Sequence, residues 1–130
     1  MHSGFQGLRN ICGMNVGLRI ELASIPDNLA ADIARIDTLW SDGLERFGGP
    51  FLAGPKFTAV DAFFSAVAFR VQIYDLKLSD TAAAYAKRLL ALPSMRDWYA
   101  AALTETWRKG VYEREALAAG RIVADYRQTA

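Results

Sequence analysis

The sequence predicts an all-α protein, a bundle of about five to six helices in one domain over residues 1–130. Three observations carry this. Alanine is abundant and β-branched residues are few, a composition that favours helices over strands. Apolar residues recur at spacings of three and four through several long segments. Nothing alternates with period two over any length, so no sheet is expected. Hydrophobic residues make up 52% of the chain, which argues against disorder. With 130 residues, a core is possible without metal or disulfides.

The start, His2 to Ile11, reads as a helix, although each of its glycines costs about 1 kcal/mol relative to alanine. Pro26 to Phe47 is amphipathic: Leu29, Ile33, Ile36, Trp40, Leu44 and Phe47 form one stripe, with Asp27, Asp32, Arg35, Asp37 and Asp42 off it. Gly48 and Gly49 end that helix, because glycine enters the left-handed conformation without penalty. A loop rich in glycine and proline, GGPFLAGPKF, follows. From Ala59 to Tyr74 the chain is apolar on nearly every side, as suits the middle of a bundle. The next helix lies within Leu78–Leu92, with Ser79 as N-cap and Tyr85, Leu89 and Leu92 facing inward. Pro93 breaks it and opens another helix carrying Met95, Trp98, Tyr99 and Leu103. Residues 106–130 read as a polar tail with one short helix, Tyr112 to Ala119.

One carboxylate, Asp61, interrupts the apolar run KFTAVDAFFSAVAFRV. Thr58 and Asp61 fit a capping box, in which a hydroxyl and an acid three positions apart satisfy the first N–H groups of a helix. A negative charge there also suits the helix dipole. The expected role of Asp61 is therefore structural. A staple from Phe57 would meet only Ala62, a small residue.

Fifteen basic and fourteen acidic side chains leave a net charge of +1, with no electrostatic footprint for nucleic acid. No uncharged run approaches the roughly 20 residues of a membrane helix, and the opening MHSGFQGLRN lacks the pattern of a signal peptide. The single cysteine, Cys12, excludes an intramolecular disulfide; a cytoplasmic location is expected. Cys12 reads as a small buried hydrophobe, and Trp40, Trp98 and Trp107 as core or interface residues. One histidine and one cysteine make no metal site of known spacing, so no metal is expected. No catalytic constellation stands out. Arg70 is the only basic residue in the apolar helix, expected to pair with a carboxylate such as Asp75 or to lie at the bundle edge, rather than to bind an anion.

Taken together, the FLAG loop (Phe51, Leu52, Gly54), the run Phe57-Thr58-Ala59-Val60-Asp61 and the later Leu92-Pro93 and Trp98 resemble the C-terminal helical domain of glutathione transferases. The opening MHSGFQGLRNICGMN is similar to the first helix of that domain in a bacterial subgroup. The resemblance implies a substrate-binding half of an enzyme that conjugates glutathione to an apolar electrophile. His2, Phe5, Gln6 and Arg9 would face that electrophile, with Trp107 as a pocket wall; the competing reading of the first four is a solvated helix face with Phe5 in the core. Glutathione would be a co-substrate held by a thioredoxin-like domain that carries the thiol-activating residue, and these 130 residues show no strand pattern for such a domain. This chain by itself would then have no catalytic residue and no cofactor. The resemblance also implies a homodimer built on the first helix and the one from Pro26 to Phe47. The alternative is a non-catalytic interaction or dimerisation module of the same fold.

Overall fold

A computed structural model describes residues 2–129. The described residues form six helices and one two-stranded sheet: α1 (Gln6–Ile11), β1 (Leu18–Leu22), α2 (Asp27–Phe47), α3 (Ala59–Tyr74), α4 (Asp80–Leu90), α5 (Pro93–Thr104), α6 (Gly110–Ala119) and β2 (Gly120–Asp125). The protein is thus mostly helical, and the expectation of no sheet is corrected.

The sheet was hidden by its shortness and by distance. Leu-Arg-Ile-Glu-Leu does alternate, with Leu18 and Ile20 buried, but over only five residues. Its partner lies about a hundred positions away: β1 and β2 run antiparallel with Leu18 opposite Asp125 and Leu22 opposite Gly120. The end of the ladder depends on a missing side chain, since a Cβ on Gly120 would lie 2.0 Å from the Glu21 carbonyl oxygen. Past the strand, Tyr126 N–H donates to Gly17 O at 2.9 Å and Gln128 N–H to Leu103 O at 2.8 Å. The Arg127 guanidinium bridges Glu113 (2.6 Å) and Asp125 (2.7 Å). The segment that reads as a polar tail is therefore tied down by backbone and charge.

Buried side chains form one continuous cluster. Leu8, Leu18, Leu29, Ile36, Trp40, Val67, Phe69, Ile73, Tyr85 and Leu89 stand at its centre. Trp40 meets Tyr85 edge-on at 4.9 Å and Phe64 at 5.8 Å. Aromatic pairs in this geometry add to simple area burial. Phe69 contacts both Trp98 (5.0 Å) and Tyr99 (6.3 Å), fixing α5 against α3.

Helix by helix, the sequence patterns reappear with shifted ends. The first helix starts at Gln6, not His2, because residues 2–4 form a turn. The glycine that weakens α1 in isolation is what seats it. A Cβ at Gly7 would come within 2.8 Å of Asn28 O on α2, so only glycine permits this approach. Asp32 of α2 then accepts the Leu8 N–H at 3.0 Å, serving an unpaired donor in the first turn of α1. In α2 the stripe is real from Leu29 to Trp40, but nothing after Trp40 in that helix is fully buried, and Phe47 at its end is 54% exposed. Gly48, at φ 78°, ends the helix. Nor is α3 covered all round, since its full burial lies mostly beyond Ser65 and Phe63 is 69% exposed. Ser79 caps α4, accepting from Ala82 N–H at 3.3 Å, as expected.

Candidate functional site

Two charged residues sit on α3, and they lie in different surroundings. Asp61 is completely buried. With Thr58 it stands in the reciprocal arrangement of a capping box. The bonds of good geometry are those the carboxylate receives. Oδ2 accepts Thr58 N–H at 2.9 Å and the Thr58 hydroxyl at 3.3 Å, while the Asp61 N–H itself points to the Thr58 carbonyl at 3.1 Å. Two further donors come from outside the box. Oδ1 accepts Leu52 N–H at 3.1 Å and Tyr85 O–H at 2.6 Å. One side chain thus joins the preceding loop, the start of α3 and the middle of α4. Burial, reinforced by the bond to Asp61, pushes the Tyr85 phenol above its ordinary pKa, so it remains a donor. Asp61 has no capacity left for chemistry.

Arg70, nine residues on, faces a cleft of about 540 Å³ between α1, the end of α3 and α6. His2, Gln6 and Arg9 line this cleft with Arg70, Tyr74, Tyr112 and Glu115. Arg70 Nε donates to the Cys12 carbonyl at 2.8 Å, and Tyr74 O–H donates to the Gly13 carbonyl at 2.8 Å. These two bonds hold the chain just after α1 against α3. The expected pairing of Arg70 with Asp75 is corrected, because Asp75 turns outward, takes a left-handed backbone and pairs with Lys77 at 2.5 Å. Arg9 donates to His2 O, and its guanidinium contacts His2 Nδ1 at 2.7 Å.

The electrostatics follow from burial. The Cys12 thiol, fully buried, is pushed up to about 12 despite the nearby Arg70 charge, so it is no nucleophile near neutral pH. Burial also raises Tyr74. Burial first, and the charge of Arg9 second, lower Arg70 from its ordinary value.

The remaining sequence candidates lie elsewhere. Phe5 does not face the cleft: at 2% exposure it is a core residue, edge-on to Phe64 at 6.3 Å, with the Arg35 guanidinium 4.2 Å above its ring. Trp107 is 71% exposed and lines a shallow neighbouring cleft of about 200 Å³ with Trp98 and Lys109. That cleft shares Met14, Asn15 and Tyr112 with the first, so Trp107 borders the site without entering it. Thr58 and Asp61 remain structural. Tyr74, Tyr112 and Glu115 were not singled out by sequence, because α6 carries no clear periodicity and Tyr74 reads only as a helix end.

A larger cleft, about 770 Å³, lies beside the sheet, lined by Ile20, Ile33, Ile73 and Val123 among others. It is mainly apolar and holds none of the sequence candidates; its Asp37 is already bonded by Ser79. Both volumes suit a small molecule; the cleft of about 540 Å³ is the candidate because it gathers His2, Gln6 and Arg9 with Arg70, Tyr74 and Glu115. Among the described residues no cluster of His, Cys, Asp and Glu could hold a metal ion, and no helix is long and apolar enough to cross a membrane. Compared with known proteins, the chain matches no family model, no curated protein and no solved structure.

Proposed function

We propose that this chain is the electrophile-binding helical part of a glutathione transferase-like protein, with the fold of that family's C-terminal domain, working in the cytoplasm. The observation that carries the reading is the meeting of His2, Gln6 and Arg9 in one cleft of about 540 Å³ beside Tyr74 and Tyr112. The resemblance assigns the first three to the electrophile, and the volume falls in the range of small-molecule sites. In the complete reaction a glutathione thiolate attacks an electrophilic carbon. The C–S bond forms, the leaving group departs with its electron pair, and the thiol proton has already passed to solvent or base. This chain's share is to hold the electrophile in place and exclude water. Glutathione and the group that lowers its thiol pKa belong to a thioredoxin-like domain.

The test is a chemical-shift titration of the isotopically labelled chain with 2,4-dinitrotoluene, an unreactive mimic of a chloro-nitro-aromatic electrophile, and separately with glutathione. The nitroaromatic should move amides near Gly13, Arg70, Tyr74 and Ala116. Glutathione alone should bind no tighter than about millimolar, and the chain alone should not accelerate conjugation, since nothing here ionises the thiol. Nitroaromatic shifts confined to other surfaces, or robust conjugation by the chain alone, would overturn the assignment.

A second reading, an interaction or homodimerisation module, is favoured by the exposure of Phe63 (69%), Trp107 (71%) and Leu117 (65%). Both readings expect a homodimer, which sedimentation at tens of micromolar checks; the nitroaromatic footprint separates them. A homodimer with no nitroaromatic footprint favours the module.

A further inference from the structure

We propose that the cleft between α1, α3 and α6 selects a small molecule whose apolar body ends in a carboxylate, gripped by Arg70 and Arg9. The inference rests on reading this cleft as the electrophile site and adds the charge of its ligand.

Arg70 uses one of its five N–H donors, Nε to the Cys12 carbonyl, and its Nη groups have no hydrogen-bond partner among the described residues. Two other half-buried arginines are more fully paired. Arg127, with a side chain only 12% exposed, has Glu113 and Asp125. Arg19 has two backbone carbonyls, the Tyr99 hydroxyl and two aromatic rings. Arg70 is partly withdrawn from water, with its Nη groups open to the cleft rather than paired within the protein. Arg9 lines the same cleft as Arg70, and no carboxylate lies within 4.0 Å of either among the described residues.

Two unneutralised guanidiniums lining one cleft suit a carboxylate, whose two oxygens match the planar fork of arginine. The Tyr74 and Tyr112 rings, with Met14, offer surface to an apolar body. The Tyr74 hydroxyl is committed to Gly13, so it presents its ring rather than a competing donor. Glu115 is the one acid on this wall. It opposes an anion and so serves as an internal control.

The experiment compares cinnamate with cinnamamide, near-equal in shape and differing in charge, by chemical-shift titration of the whole chain at low salt. Cinnamate should bind in this cleft about ten-fold tighter or more, the scale of a charge-assisted hydrogen bond. Arg70→Met should abolish the preference of cinnamate over cinnamamide, and Glu115→Gln should strengthen cinnamate two- to three-fold (about 0.5 kcal/mol). Arg9→Gln, at a side chain that hydrogen-bonds only His2 among the described residues, should reduce the preference several-fold and keeps the test decisive if Arg70→Met fails to fold. Equal affinity of both probes within the cleft overturns the charge assignment and leaves the electrophile reading intact. Failure of both probes to enter the cleft removes both. A cinnamate preference that survives Arg9→Gln at full strength also overturns the proposal.

Discussion

Asp61 and Arg70 are the only charged residues of α3, nine positions apart on an otherwise apolar helix. At one end, a carboxylate with no exposure receives four donors from three parts of the chain. At the other, a guanidinium makes one bond and keeps the rest of its donors. The first charge is consumed by the fold and the second is not. What a buried charge is for can thus be read from its unspent valences. Asp61 has none and is structural, whereas Arg70 has several and lines a cleft.

That contrast can be broken most forcefully at Asp61. Asp61→Ala leaves the buried Leu52 N–H and Tyr85 hydroxyl without acceptors and should cost about 3–4 kcal/mol, at roughly 1–3 kcal/mol per unsatisfied group. Asp61→Asn, which keeps one acceptor oxygen, should lose less. Tyr85→Phe should cost about 1–2 kcal/mol by removing a single bond to a charged acceptor. Thr58→Ala should cost about 1 kcal/mol, the usual loss of a cap, because the Thr58 N–H bond survives the substitution. Denaturant midpoints check the order; equal losses at Asp61 and Thr58 would mean that the box alone matters. Arg70→Met should change stability by less than about 1 kcal/mol, since a cation with few partners leaves few behind. A loss as large as that at Asp61 would dissolve the comparison.

A surface carboxylate marks the lower limit of the series. Burial nudges the Asp37 carboxyl upward, but bonds from the Ser79 N–H and hydroxyl and the Ser41 hydroxyl outweigh it and hold it below the ordinary range. A depressed folded value means that Asp37 stabilises above its unfolded pKa of about 3.9 and that this contribution fades as pH falls through the folded value. Parent and Asp37→Asn should therefore differ slightly near pH 6, and the difference should close toward pH 3. A gap that widens in acid would reverse the sign. Cys12 gives a chemical check on the same core. Held near 12 and fully buried, its thiol should alkylate at pH 8 at least about a hundredfold more slowly than in the unfolded chain.

Local features were the legible ones. Thr58 and Asp61 lie within one turn, so their relation is visible in four letters, as is the Ser79 cap. The Asp61 bonds from Leu52 and Tyr85 span 9 and 24 positions and leave no pattern in the sequence. For the same reason Asp32, which reads as a solvated acid on α2, serves α1 across 24 positions. The family resemblance puts Phe5 on the cleft beside Gln6 and Arg9; as N-cap of α1 it turns instead into the core. Three of the five binding candidates, His2, Gln6 and Arg9, meet in one cleft. The far wall, Tyr112 and Glu115, comes from a segment whose periodicity is too weak to orient it.

The β1–β2 ladder has a kinetic meaning. Its partners are about a hundred positions apart, so forming it closes a loop through all of α2 to α6. Closing a loop of that length costs about 3/2 RT ln n, or roughly 4 kcal/mol, before any strand bond repays it. Helical contacts between near neighbours carry no such delay. The ladder should therefore be the last structure to assemble, a clasp fastened over a bundle already in place. Exchange of its amide hydrogens would then report on that clasp opening while α3 and α4 stay shut.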